Sequence, residues 1–150
     1  MATTKGRIKA ISISQTRGTQ KTNVLEAELK TGFGIVGDAH AANWHRQVSL
    51  LAVESIDKMV EMGAVVSPGN FAENITTEGI YKLFELPIGS RLRLGENAEL
   101  EITQIGKDCH SRCAIFEQVG DCVMPREGVF AKVIKGGFIK VGDIIEAFND

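Results

Sequence analysis

The stretch Ile8-Lys9-Ala10-Ile11-Ser12-Ile13-Ser14 constrains the fold most, because apolar and polar residues alternating with a period of two belong to a half-buried strand rather than a helix. The three isoleucines and Ala10 are expected on opposite faces of it. Similar short runs recur along the chain. Val24 to Leu29 alternates more weakly, while Arg91 to Leu94 and Leu100 to Ile105 suggest further strands, the latter with Leu100, Ile102 and Gln104 on one side. Phe130 to Ile134, Phe138 to Val141 and Ile144 to Phe148 follow, with turns at Gly136-Gly137 and Gly142-Asp143 between them. Glycine outnumbers proline 16 to 3, which favours tight turns and bulges over rigid linkers. Val48 to Ala52 reads as a buried strand entering the one clear helix, Val53 to Met62. On that helix Ala52, Ile56, Met59 and Val60 make an apolar stripe, Glu54, Asp57, Lys58 and Glu61 face water, and Gly63 marks the end. Seven or more short strands with one helix predict a mainly β (α+β) protein, a barrel or a sandwich.

A chain of 150 residues with 43% hydrophobic content can bury one substantial core, so a single domain is expected. The net charge of −2 is spread over both signs without long like-charge blocks, which gives no footprint for nucleic acid or an anionic membrane. Met1-Ala2-Thr3-Thr4-Lys5-Gly6 lacks the apolar stretch of a signal peptide, and no run approaches the length that crosses a bilayer. A cytoplasmic location is therefore expected. The three cysteines form an odd set packed between Cys109 and Cys122, unlike a disulfide scaffold, and are expected as reduced thiols. Asn74-Ile75-Thr76 matches a glycosylation acceptor, a reading that needs secretion and is set aside.

The densest reactive cluster is Gly106-Lys107-Asp108-Cys109-His110-Ser111-Arg112-Cys113, just past the strand ending at Ile105. A cysteine acts as nucleophile or soft metal ligand only as thiolate, and Lys107, His110 and Arg112 are cations that would favour that form, while Asp108 opposes it. Cys109 and Cys113 on one helix face would hold their Cβ atoms roughly 5–6 Å apart, too wide for a relaxed disulfide at about 3.8 Å. In a loop the pair could close as a redox switch. The plain alternative is that these cysteines are small buried apolar residues.

A second group, Gly37-Asp38-Ala39-His40-Ala41-Ala42-Asn43-Trp44-His45-Arg46, holds two of the three histidines and the only tryptophan. It suits a pocket rim or a structural turn, and zinc only weakly, since no CxxC knuckle accompanies it. The third, Gly69-Asn70-Phe71-Ala72-Glu73-Asn74-Ile75-Thr76-Thr77-Glu78-Gly79, offers amides and carboxylates that would bind a heterocycle or simply cap turns. Arg126, in Met124-Pro125-Arg126-Glu127-Gly128, is a candidate anion binder by its guanidinium fork or else a solvated surface residue.

The order of these pieces, with Leu86-Pro87-Ile88-Gly89 and Leu92-Arg93-Leu94-Gly95 between the second and the cysteines, and Gly128-Val129-Phe130-Ala131-Lys132-Val133 and Val141-Gly142-Asp143 after them, resembles a stand-alone, bacterial-type MOSC domain, the C-terminal domain of molybdenum cofactor sulfurases. The resemblance covers residues 6–148 as one domain and leaves 1–5 as a flexible N-terminus. It implies a closed, complex β-barrel, pyruvate-kinase-barrel-like, with a few short helices. It also implies a sulfur carrier: a cysteine takes sulfur as persulfide from a cysteine desulfurase and delivers it to a molybdenum cofactor or molybdenum enzyme. The same cysteine would sit near or on the metal. By that resemblance Cys109 is the carrier and metal-proximal thiol and Cys113 the resolving or second one, while Asp38, His40, Asn74, Lys107, Arg112 and Arg126 line the cofactor pocket. Asp108 departs from the family, many of whose members place Arg or Pro there. Covalent pyridoxal phosphate belongs to the separate desulfurase and is not expected here. The rival readings are a non-catalytic module that binds or delivers molybdenum cofactor, and a redox- or zinc-linked regulator.

Overall fold

The computed structural model describes residues 4–16, 21–80, 82–107 and 123–148. Eleven strands follow one another among them: β1 (Thr4–Ile13), β2 (Thr22–Val24), β3 (Glu26–Lys30), β4 (Gly34–Ile35), β5 (Val48–Ala52), β6 (Ile75–Glu78), β7 (Arg91–Leu94), β8 (Ala98–Ile105), β9 (Val129–Lys135), β10 (Gly137–Lys140) and β11 (Ile144–Phe148). Helix α1 (Val53–Glu61) leaves β5 directly, a single 3-10 turn spans Leu83–Glu85, and the short α2 (Met124–Glu127) precedes β9. No helix among the described residues is long and apolar enough to cross a membrane.

Seven strands in the order β11-β7-β8-β9-β5-β6-β1 close on themselves through β1 and β11, and β2 extends the sheet beside β1. The first half of β1 makes the closure, with Thr4 opposite Ala147 and Arg7 opposite Ile144. Thr4 and Lys5, expected in a flexible leader, are therefore already paired. Closure leaves the barrel's own strands without a free edge.

In β1, Ile8 and Ile11 lie three apart, a spacing that regular pleating would send to opposite faces. A register shift between Ile8 and Ala10 against β6 re-phases the strand, so both isoleucines enter the same core and Ala10 is itself buried. That core fills the barrel with Leu50, Ile75, Leu92, Leu94, Leu100, Ile102, Val129, Val133 and Ile145. A second apolar cluster lies outside, where Leu51 of β5 meets Ile56 and Met59 of α1, with Phe71, Met124 and Phe130. β5 is thus covered on both faces and buried at all five positions, and it runs parallel to β6 and antiparallel to β9.

Helix α1 buries Ser55, Ile56 and Met59, whereas Val60, expected in the stripe, is 49% exposed. The buried arc is turned toward Ser55 because the carboxylate of Glu127 accepts from Ser55 Oγ at 2.6 Å and Lys58 Nζ at 2.9 Å, tying α1 to α2. The helix ends on paired bonds, Gly63 N–H to the Val60 carbonyl and Ala64 N–H to that of Met59. The turns at Gly136-Gly137 and Gly142-Asp143 do not make hairpins between sequential strands. β10 pairs with β3 in a separate three-stranded sheet with β4, and β11 pairs with β7 and β1.

Candidate functional site

At one end of β5 the chain opens a hollow of about 120 Å³. It is lined by His40, Trp44 and Arg46 from the loop before β5, Ser49 of β5, Ala72 and Asn74 from the segment before β6, Lys107 after β8, Met124 of α2 and Phe130 of β9. Three of the residues expected to line a pocket, His40, Asn74 and Lys107, are therefore brought together from positions far apart in sequence.

Beneath His40 lies a buried ion pair. Lys21 Nζ is 2.7 Å from Asp38 Oδ1, and the two side chains are 1% and 0% exposed. Asp38 also accepts from the backbone N–H of Ser14 at 3.0 Å and of His40 at 3.2 Å. Burial alone would raise the Asp38 pKa. The hydrogen bond and charge of Lys21, the Ser14 amide and the Asn74 side chain outweigh it, and the carboxyl is held below its ordinary range. Asp38 thus lies behind the pocket wall and acts through its neighbours. Lys21 also reaches Ser14 Oγ at 3.3 Å and His40 Nδ1 at 3.1 Å. An ammonium group has donors only, so Nδ1 of the neutral ring accepts and the ring proton sits on Nε2.

The adjoining wall is structural. The Asn74 amide is committed: Oδ1 accepts from Ser49 N–H at 3.0 Å and Nδ2 donates to the Ser12 carbonyl at 3.1 Å. With the residue 1% exposed, it spans β1 and β5 and fixes the pocket's edge, and it has no room for a glycan. Glu73 is fully buried and accepts from Gly69 N–H at 3.0 Å, Phe71 N–H at 3.2 Å and Thr76 Oγ1 at 2.7 Å. Burial pushes its carboxyl above the usual range despite these donors. Gly69 has φ +95° with Ser12 Oγ and Asn23 Oδ1 about 3 Å from where a Cβ would stand, so any side chain in this turn would be strained and crowded.

Sequence reasoning missed two charged residues. Lys21 sits in a polar stretch with no local sign of burial. Arg46 was part of the Asp38–Arg46 loop but was not singled out. Its guanidinium lies 4.8 Å from the Trp44 ring centroid and 5.3 Å from that of Phe130, and its Nε is buried with no hydrogen-bond partner among the described residues. The Arg-after-Trp spacing was the available signal, since guanidinium groups stack on indole. Trp44 is oriented by its own Nε1–H, which donates to the His40 carbonyl at 2.9 Å. His45 turns away, toward Gln104 at 2.7 Å.

Lys107 lines the hollow and is fixed by its N–H to the Pro125 carbonyl at 3.0 Å. Arg126 is exposed on α2 and does not line it, because α2 turns Glu127 toward α1 and Met124 toward the hollow. Cys109, Cys113, Cys122 and Arg112 lie outside the described residues. Among the described residues no three His, Cys, Asp or Glu side chains converge to hold a metal ion.

No curated protein matches the chain in sequence. Among solved structures it is similar to the YuaD protein from Bacillus subtilis, with a TM-score of 0.83 at 18% identity over 97% of each chain. It is also similar to YiiM from Geobacillus stearothermophilus, with a TM-score of 0.69 at 16% identity over 96% of this chain and 75% of the other. YiiM from Escherichia coli superposes with a TM-score of 0.64 at 20% identity over 96% and 70%. At these identities the likeness concerns the fold. The profile of the MOSC domain matches residues 37–146, a span that runs from the loop of Asp38 through the hollow to β11, and on that match the chain belongs to the MOSC domain family.

Proposed function

We propose that the protein is a sulfur carrier of molybdenum cofactor maturation, holding sulfur as a persulfide on Cys109 and passing it to a molybdenum centre. One observation supports this above the others: Lys107 and Met124, which stand on either side of the segment bearing all three cysteines, both line the hollow. Two residues of chain reach at most about 7 Å, so Cys109 follows closely on Lys107.

The first step needs only a thiolate and a donor. Cys109 Sγ attacks the outer sulfur of a cysteine desulfurase persulfide; the new S–S bond forms as the donor's breaks, and the donor leaves as thiolate. Lys107 and Arg112 favour the attacking thiolate by charge. In the second step the Cys113 thiolate attacks Cys109 Sγ, a disulfide forms, and the outer sulfur leaves as hydrosulfide for the metal acceptor. A small dithiol then reduces the Cys109–Cys113 disulfide.

The residues present fit the anionic end of the acceptor. Arg46 and Lys107 supply cations, and Trp44 and Phe130 supply aromatic surface. At about 120 Å³ the described hollow is smaller than the ~300–1,000 Å³ of ordinary cofactor pockets, so it receives part of such a ligand. When bound, the cofactor brings the metal–sulfur chemistry; the chain's own residues bind and orient it. Incubation with a cysteine desulfurase and labelled cysteine, followed by mass spectrometry, is expected to place a persulfide on Cys109. Absence of label from all three cysteines overturns the carrier reading.

A further inference from the structure

Regular alternation along β8 would carry Gln104 to the core side with Leu100 and Ile102. The strand instead holds one extra residue there: Ile102 lies opposite Ala131 and Gln104 opposite Phe130, with Thr103 bulged between them. The bulge sets Ile105 against the barrel core and leaves Gln104 facing His45. Both ends of the Gln104 amide are then used. Nε2 donates to the Gly106 carbonyl at 2.7 Å, and Oε1 lies 2.7 Å from His45 Nε2. A carbonyl only accepts, which fixes the amide's orientation, and an amide oxygen facing the ring requires the ring proton to sit on His45 Nε2. The bulged Thr103 adds a second tie, because its hydroxyl donates to the His45 carbonyl.

His45 is thereby held to β8 through its ring and its backbone, and the residues on either side of it, Trp44 and Arg46, line the hollow. The other end of Gln104 holds the turn into Lys107, a further lining residue. There Gly106 N–H donates to the Gly128 carbonyl at 2.7 Å and Lys107 N–H to that of Pro125 at 3.0 Å. Gly106 has φ +72°, and a Cβ on it would run into the Pro125 carbonyl, so the turn has little freedom once it is docked. We propose that His45 is a positioning residue of the hollow: its ring N–H, relayed through Gln104, clasps the Trp44–Arg46 stretch to the Gly106–Lys107 turn and keeps Lys107 in place relative to Trp44 and Arg46. The consequence for sulfur transfer rests on the carrier reading above, in which Lys107 favours the Cys109 thiolate. The consequence for Trp44 does not.

Trp44 is the only tryptophan, so its fluorescence reports the clasp directly. His45→Phe keeps a ring against Trp44, which the His45 ring meets edge-on at 5.9 Å, and removes the N–H. It is expected to raise acrylamide quenching of Trp44 and to slow persulfide loading of Cys109 at saturating desulfurase about two- to tenfold, the range of one ordinary hydrogen bond. The desulfurase concentration at half-saturation should not change. His45→Gln, which returns an N–H to the same place, should restore quenching and loading. Gln104→Leu cuts both arms, and adding His45→Phe to it should cost nothing more, because the two residues act in series. Long-range proton–nitrogen correlation spectra, which read the ring tautomer of each histidine, should show the His45 proton on Nε2. An Nδ1–H ring at His45, additive losses in the double variant, or quenching and loading both unchanged in His45→Phe overturns the clasp. Altered quenching with unchanged loading overturns the positioning role. If the unsubstituted protein takes up no label, the carrier reading fails by itself, and Trp44 quenching and the His45 tautomer still decide whether the clasp exists.

Discussion

Two buried carboxylates brace the loops on either side of the hollow, and they are held in opposite ways. Asp38 is met by a buried ammonium and sits below its ordinary pKa, whereas Glu73 is met by two backbone N–H groups and a hydroxyl, without a cation, and sits above its own. The first arrangement reaches the site, because the lysine that neutralises Asp38 also orients His40. The second stops at its own turn: Glu73 ties Gly69, Phe71 and Thr76 into a rigid edge and presents nothing to the hollow. A buried charge beside a pocket is therefore informative through its partner. A paired one can polarise a neighbour, and one satisfied by backbone shapes the wall.

Breaking the Asp38 side should have the largest effect. Lys21→Met leaves a fully buried carboxylate with only amide donors, and losing one member of a buried pair costs about 3–5 kcal/mol. Equilibrium urea unfolding measures it. Adding Asp38→Asn should recover part of the loss, and the coupling energy from the double-mutant cycle then gives the pair's own contribution. If the two substitutions simply add, Lys21 and Asp38 are neighbours without being partners.

The Glu73 side should break more gently. Glu73→Gln keeps the shape but turns one acceptor oxygen into an NH2 facing donors, which costs about 1–3 kcal/mol. The same unfolding measurement applies, and the His40 tautomer spectrum should not move. A shift there would mean that the two loops communicate and that the contrast between them is false.

How much of this was legible follows from range. β7 (Arg91–Leu94), β5 and the start of α1 were readable, because their signals are periodicity and run length within a few residues. The strand partners were not. Gly136 allows the backbone of Leu29 to approach so closely that a Cβ would meet its carbonyl oxygen at 2.5 Å, and this contact, across more than a hundred residues, lies where β10 leaves β9 to pair with β3. In the site, His40, Asn74 and Lys107 were legible as polar residues at the ends of strands or in Gly-bounded loops. Arg126 looked equally suitable as an anion binder, yet the side of α2 that faces the hollow carries Met124, a choice set by Glu127 docking on α1. Lys21 was invisible because its burial depends on Asp38, 17 residues further along. A lysine in a polar run looks solvated until its counter-charge is known.

The smallest effects lie in the pH dependence, where the two carboxylates should pull in opposite directions. Asp38 has a folded pKa below its unfolded value near 3.8. Its contribution is present above that pH and is lost as pH falls through the folded pKa, because the unfolded chain binds the proton first. Glu73 has a folded pKa above its unfolded value near 4.5. Its contribution is fully present below 4.5 and is lost as pH rises through the folded pKa, because the native state keeps the proton longer. Each group can tilt unfolding free energy by at most about 1.4 kcal/mol per pH unit within its window. Urea unfolding across the acidic and mildly acidic range should therefore show Asp38→Asn flattening the rise of stability below pH 3.8, and Glu73→Gln flattening a decline above pH 4.5. Slopes, not levels, carry the comparison, since both substitutions also lower stability outright. Should Glu73→Gln instead steepen the decline, the native carboxyl releases its proton more readily than the unfolded one, and its three donors outweigh the cost of burial.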